Sequence, residues 1–108
     1  MVQSVSLKPE AIRTLGFAAI SGTYAIIGTA ITNPSQVYYI QNLTDVTITF
    51  SQDAVNDHFI LPAGGFVLID AGANKGLYGS LSFNSGTSLF AKGSPTSGSV
   101  YLTTLYMG

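Results

Sequence analysis

The chain has no cysteine and no tryptophan among its 108 residues. Without thiols it can form neither a disulfide framework nor a zinc–thiolate site, and its redox compartment therefore stays open. A chain of this length has the size of a single domain and can bury a core without such cross-links. We therefore expect one domain whose stability comes from packing and hydrogen bonding.

Charge is the second deficit. Charged residues make up 8% of the chain, and its formal net charge is −1, whereas an ordinary soluble domain is roughly 25% charged. A near-neutral chain lacks the basic patch that binds nucleic acid, so we expect no nucleic-acid partner. Two explanations fit a surface so poor in charge. Other subunits cover much of it, or it is a polar, uncharged surface of the kind found on many extracellular domains.

The sequence also lacks the apolar runs that are typical of membrane helices and of signal peptides. Gly, Thr, Ser and Asn interrupt every apolar run before it reaches the roughly 20 residues of a membrane helix. The opening stretch MVQSVSLKPEAIR has no basic region followed by an apolar block, so we expect neither a signal peptide nor a membrane partner. Helical patterns are nearly absent, and KPEAIR (8–13) is the one short candidate.

What the sequence does contain is a strong β pattern. The stretch VTITF (46–50) alternates apolar and polar side chains, as a half-buried strand does. Comparable runs, rich in Val, Ile, Thr, Tyr and Phe and separated by Gly and Ser, occupy 12–20, 23–32, 36–42, 58–62, 65–70, 88–93 and 99–107. About eight short strands at such regular spacing predict an all-β antiparallel sandwich of the jelly-roll type. We expect residues 11–108 to form this single domain and residues 1–10 to form an N-terminal arm.

Two of these strands, 36–42 and 99–107, are apolar on both faces. Strands of a small sandwich normally have one dry and one wet face, so a two-faced strand needs a second cover. Its own loops or the arm can provide that cover, or a subunit interface can, where tyrosine is enriched. The residues predicted at such an interface are Tyr38, Tyr39, Tyr101, Leu105 and Met107.

The stretch SQDAVNDHFILPAGG (51–65) carries most of the residues that could do chemistry. Asp53, Asp57 and the single histidine, His58, are weak candidates for metal ligands. No catalytic or metal-binding motif surrounds them. Aspartate and asparagine also form turns by accepting hydrogen bonds from nearby backbone amides, and we favour this interpretation. We predict no catalytic residue and no cofactor.

Three further motifs have a structural alternative to a functional role. The segment PAGG (62–65) lacks the following Lys-Ser/Thr of a phosphate-binding loop and predicts a hairpin turn with glycine at positive φ. The triplet NLT (42–44) matches a glycosylation acceptor but also fits a turn between strands. The region 70–88, with Tyr78 and Phe83, is either a surface excursion or a sugar-stacking loop.

The segment from Val37 to Lys75 combines several features in one order. A strand ends in Asn-Leu-Thr-Asp, and a Thr-rich strand ends in Ser. A D-x-x-x-D-H-F turn and an L-P-A-G turn follow, before a strand that ends in Asp and an Asn-Lys pair. In these features, over about a third of the chain, the sequence resembles small all-β virion proteins of tailed bacteriophages.

This resemblance implies a structural role without catalytic residues. Such proteins decorate (cement) capsids, usually as trimers at three-fold positions, or form rings and adaptors at the portal vertex and in the tail. We therefore predict a non-enzymatic capsid decoration protein that is assembled into the virion in the host cytoplasm. Its partners would be copies of itself, with a trimer favoured, and the major capsid protein or other virion proteins. The alternatives are a connector, tail or fibre adaptor and, from another class, a carbohydrate- or surface-binding β-sandwich.

Overall fold

The computed structural model describes residues 7–70 and 85–107, and the regular secondary structure of these residues is almost all β-strand. The strands are β1 (Leu7–Pro9), β2 (Arg13–Gly16), β3 (Ala25–Ile26), β4 (Ser35–Thr44), β5 (Ile48–Ser51), β6 (Phe59–Leu61), β7 (Phe66–Asp70), β8 (Phe90–Lys92) and β9 (Gly98–Met107). A single 3₁₀ turn, Phe17–Ala19, follows β2. No helix in the described part of the chain has the length and apolar character that crossing a membrane requires. The short helical candidate at 8–13 does not form a helix, because β1 and β2 occupy both ends of that segment.

The strands form two antiparallel sheets. The first sheet has the order β2-β9-β4-β7, and β1 continues beside β2 along the same edge of β9. The second sheet has the order β3-β8-β5-β6. Apart from the β5–β6 hairpin, the chain from β2 to β9 changes sheet at every connection, which is the strand order of a jelly roll. The predicted all-β sandwich of the jelly-roll type is confirmed.

The PAGG turn differs from the prediction in one respect. Gly64 has φ +77°, and the Gly65 amide donates a hydrogen bond to the Pro62 carbonyl at 2.8 Å, as a tight glycine turn requires. The strands on either side, however, lie in different sheets. The segment is therefore a corner between the sheets and not a hairpin. Turn residues mark where a chain reverses, but they do not determine which strand it pairs with next.

The core lies between the sheets and follows the predicted alternation. In the stretch 46–50, Ile48 and Phe50 have no exposed surface, whereas Thr47 and Thr49 point outward. The Phe50 ring stacks on Phe59 with ring centroids 5.2 Å apart. The other buried apolar residues of this cluster are Ile20, Ile27, Ile31, Tyr38, Ile40, Leu61, Leu89, Ala91, Val100 and Leu102.

A buried ion pair fixes the N-terminal edge of the first sheet. The Arg13 guanidinium contacts the Glu10 carboxylate at 2.7 Å, and each side chain is only 8% exposed. Arg13 also donates hydrogen bonds to the carbonyl oxygens of Thr29 (2.7 Å) and Ala30 (3.1 Å). Gly28 has φ +66° and passes so close that a Cβ there would lie 2.8 Å from the Cβ of Arg13. The pair therefore joins β2 to the segment that leads from β3 to β4.

The Glu10 carboxylate has further donors on the other side. It accepts hydrogen bonds from the Asn33 amide at 2.8 Å and from the Asn33 side chain at 3.0 Å. Burial opposes the charged form, but the hydrogen bonds from Arg13, Asn33 and Thr32 outweigh it and lower the pKa of Glu10 to about 2. Residues 7–10, predicted as part of a separate arm, are thus bound to the sheet. Residues 1–6 of that arm lie outside the described residues.

Asn42 is a second buried polar anchor, and it lies at the end of β4. Its side-chain nitrogen donates to the carbonyl oxygens of Val46, Leu61 and Pro62 at 2.9–3.0 Å. Its side-chain oxygen accepts from the Thr44 amide at 3.0 Å and from the Thr44 hydroxyl at 2.6 Å. Because this side chain has no exposed surface, the NLT triplet cannot carry a glycan in this fold. The triplet belongs to the strand, and the turn to β5 follows it.

The Glu10 charge makes stability dependent on acid pH. Its folded-state pKa of about 2 lies below the ordinary value of 4.5, so its contribution is present above about pH 4.5 and is lost as the pH falls towards 2. We expect Glu10→Gln to lower the free energy of unfolding by about 3 kcal/mol at pH 7 because Arg13 is left unpaired. The difference from wild type should shrink towards pH 2. Urea denaturation followed by circular dichroism at pH 7 and pH 3 measures both.

The matched control for this pair removes both charges. The double variant Glu10→Gln, Arg13→Met leaves no unpaired buried charge and should be more stable at pH 7 than Glu10→Gln alone. An undiminished difference between Glu10→Gln and wild type at pH 3 would contradict the assignment.

Asn42→Ala should destabilise the sandwich by about 3 kcal/mol, because several buried backbone groups lose their partner at once. Chemical denaturation of the variant measures this loss. Asn56→Ala, in an exposed turn, is the comparison and should cost much less. Equal losses for the two variants would show that Asn42 does not anchor the corner.

Candidate functional site

One face of the first sheet is apolar, and it is open to solvent along β7, whereas Val37 of β4 is only 8% exposed. Along three neighbouring strands the side chains that point away from the core are Val37 and Tyr39 of β4, Phe66 and Leu68 of β7, and Thr103 and Leu105 of β9. We call this set the outer apolar face. Phe66 is 64% exposed and Leu68 is 58% exposed, which is unusual for large apolar side chains that lie next to each other.

The strand register brings these side chains into contact. Tyr39 lies opposite Leu68 on one side and opposite Thr103 on the other. The Tyr39 and Phe66 rings meet edge to face, with centroids 5.9 Å apart and an interplanar angle of 68°. Together the six residues line a shallow groove of about 310 Å³.

A bulge at the start of β4 sets which residues reach this face. Ser35 pairs with Tyr106 and Val37 pairs with Leu105, so Gln36 is an extra residue on the β4 side. Because of this shift Val37 lies beside Leu105 at one end of the groove.

No charged side chain lines the groove. Asp70, at the end of β7, is the nearest charge by register. Elsewhere in the described chain, Glu10 pairs with Arg13 and Asp57 with Lys92, while Asp45 and Asp53 accept hydrogen bonds from backbone amides and neutral side chains. The outer apolar face can therefore offer a partner apolar area and a few hydroxyl groups, but no ion pair.

The predicted interface residues divide between the two sides of the sheet. Tyr39 and Leu105 belong to the outer apolar face, and Tyr101 points to the same side, opposite Gln41. Tyr38 is a correction: it has no exposed surface because it packs in the core, where burial raises its pKa to about 12. Met107 pairs with Leu7 in register, and its side chain lies outside the described residues.

The sequence patterns alone did not identify Val37, Phe66 and Leu68 as residues of this face. A signal was present in the segment 65–70, where Phe66 and Leu68 alternate with Val67 and Ile69, so that both faces of β7 are apolar. The strands β4 and β9 have the same pattern of apolar residues on both faces. The pattern does not show, however, that β4, β7 and β9 are neighbours in one sheet.

Asp53 forms the predicted turn. Its carboxylate accepts hydrogen bonds from the amides of Asn56 and Val55, both at 2.8 Å, and from the Ser51 hydroxyl at 2.9 Å. These donors, the Asn56 amide first, hold its pKa well below the ordinary range. His58 accepts a hydrogen bond from the Gln52 amide through Nδ1 at 2.9 Å and closes the same turn. The interpretation of Asp53 as a turn former is confirmed.

Asp57 belongs to a different group. It accepts a hydrogen bond from the Tyr24 hydroxyl and lies 3.0 Å from the Lys92 ammonium, which is 4.6 Å from the centre of the Tyr24 ring. Tyr24 and then Lys92 lower the pKa of Asp57, whereas burial and Asp57 raise that of Tyr24 to about 12. Asp53 and Asp57 therefore serve separate contacts. No group of three or more metal-ligating side chains occurs in the part of the chain that the structure describes.

A larger groove, of about 600 Å³, lies beside Glu10 and Arg13. Size alone would make it the first candidate, but the charged groups that line it already hold the backbone of the segment 29–33. We therefore interpret this groove as a by-product of the N-terminal anchor. Most of the predicted sugar-stacking region, 71–84 with Tyr78 and Phe83, lies outside the described residues.

Comparisons of this chain with protein-family models, with curated proteins and with solved structures find no match.

His58→Ala should lower the free energy of unfolding by less than about 1 kcal/mol, because one hydrogen bond to an exposed loop amide is lost. Thermal denaturation with and without Zn²⁺ or Ca²⁺ measures this. We expect the metal ions to shift the wild-type and variant midpoints equally. A metal-dependent stabilisation of wild type that His58→Ala removes would instead establish a metal site. Ser51→Ala, at a buried position of the same turn, is the comparison and should cost more.

Proposed function

We propose that the protein is a non-enzymatic structural component of a bacteriophage virion, a capsid decoration protein that oligomerises and binds the capsid shell. The observation that carries the proposal is the outer apolar face. Contiguous exposed apolar patches on a soluble domain mark interaction surfaces, and scattered apolar residues do not. The phage-like segment from Val37 to Lys75 includes most of the two strands that contribute Tyr39, Phe66 and Leu68 to this face.

The distribution of charge agrees with such a role. An attachment that buries apolar area and few charges is nearly insensitive to salt, because screening acts on charges. A rigid sandwich held by buried anchors presents its face in a constant shape, so little conformational freedom is lost on assembly. Several weak contacts in one oligomer then add up to a firm hold on a shell with repeated binding positions.

The proposed setting is the virion, assembled in the host cytoplasm, with the major capsid protein or other virion proteins as partners. A connector ring or a tail adaptor would use the same kind of face at a single position of the particle. A carbohydrate-binding module would depend on the region 70–88, and no contact among the described residues favours it.

Quantitative mass spectrometry of purified particles tests this proposal. Trypsin releases the 17-residue peptide from Gly76 to Lys92, GLYGSLSFNSGTSLFAK, which is suited to an isotope-labelled standard. The ratio of this peptide to peptides of the capsid protein gives the copy number. A decoration protein should be present in a fixed, high proportion to the capsid protein, because it repeats with the shell.

The outcomes separate the alternatives. A small copy number, equal to one ring per particle, would replace the decoration role with that of a connector or adaptor. Absence from particles, together with failure of the purified protein to co-sediment with them, would refute a virion role altogether. Binding to a glycan array in that case would support the carbohydrate-binding alternative.

A further inference from the structure

The outer apolar face carries a groove and a ridge side by side. Tyr39, Thr103 and neighbouring side chains line the groove, and Phe66 and Leu68 project at its border with most of their surface exposed. The groove has a volume of about 310 Å³, and its exposed wall is almost entirely apolar. Covering it removes apolar surface from water, which is favourable.

We propose that the outer apolar face binds the same face of a second copy of this chain around a two-fold axis. In such a contact β7 of each copy lies over the groove of the other, so that Phe66 and Leu68 enter the space beside Tyr39. A surface can pair with itself in this way only if it contains both the ridge and the groove, and this face does. The inference rests on the proposed function, which it deepens by naming the partner of the face.

The outer apolar face has the size of a small, reversible interface. It lies on β4 and β9, which are ten residues long, and on the five residues of β7. At about 3.4 Å per residue and about 4.8 Å between strands, these three strands offer roughly 400 Å² per copy. Two copies would bury roughly 800 Å² in total, which is the range of the smaller, reversible protein–protein contacts.

Charge also favours a second copy. Each chain has a net charge of −1, so two copies scarcely repel each other. The groove has no charged side chain that could pair with a strongly acidic or basic partner. Asp70 is the nearest charge and lies at the end of β7, opposite Val37, so it borders the contact at one end only. The outer side of the second sheet contains the Lys92–Asp57 ion pair, which a face-to-face contact there would have to desolvate.

The mass of the purified protein tests the pairing. Analytical ultracentrifugation of wild type should give twice the 11.3 kDa of one chain at micromolar concentration. Leu68→Asp places a charge in the contact and should raise the dimer dissociation constant by at least about 100-fold. Ile60→Asp is the matched control, because Ile60 is equally exposed (63%) but lies in β6 of the second sheet, and it should leave the dimer unchanged.

A cross-linking experiment gives a second readout that does not depend on destabilising the face. The natural chain has no cysteine, so Leu68→Cys introduces a single thiol. A short bismaleimide should link two copies of this variant rapidly, whereas Ile60→Cys should stay largely monomeric. Circular dichroism of every variant confirms that the sandwich is folded before its mass is interpreted.

The outcomes are distinct. A wild-type monomer, or a dimer that Leu68→Asp does not weaken, would overturn the pairing. A mass of three chains would overturn it as well and would support the three-fold arrangement that the resemblance implies. Particles that contain the protein although its purified form is monomeric would refute the two-fold contact alone. A dimer absent from every particle would refute the virion role and retain the contact.

Discussion

The buried contact between Glu10 and Arg13 is the constraint on which the remaining architecture depends. It holds the segment 29–33, which leads from the second sheet back to the first, against β2. Arg13 also donates a hydrogen bond to the Thr104 hydroxyl of β9 at 3.4 Å. Among the strands that the structure describes, β1 and β2 form one edge of the first sheet and β7 forms the other. Because removing either partner would leave an uncompensated buried charge, the pair holds this arrangement in place at neutral pH.

Asn42 plays the corresponding part at the other end of β4. Its side chain donates hydrogen bonds to carbonyl oxygens in the connection from β4 to β5 and at the end of β6, where the chain returns to the first sheet. Polar groups buried between the sheets are fully bonded here, so the corner is rigid despite its glycines. A well-defined outer surface follows, because both ends of its central strand, β4, are fixed.

Several of the few charged residues of this chain have structural roles. Charged side chains are used to hold segments together, at the N-terminal anchor and in the contact of Lys92 with Asp57 and Tyr24. The outer apolar face is left without charges. Two residues of this face, Tyr39 and Leu105, were predicted from strands that are apolar on both sides. Tyr38 was predicted with them, but it lies in the core. Alternation shows that neighbouring residues face opposite sides, yet it cannot decide which side is the core when both are apolar.

The amino-acid sequence by itself determined the all-β class, the strand pattern and the turn at Asp53, because these depend on local preference. It also determined the absence of thiols and the scarcity of charged residues, because these are properties of composition. Only the tertiary structure decided that 62–65 is a corner and not a hairpin, that Asn42 is buried, and that Phe66 and Leu68 lie beside Tyr39. Those features depend on contacts between residues far apart in the chain. Such contacts arise from the pairing of strands, which local patterns leave open.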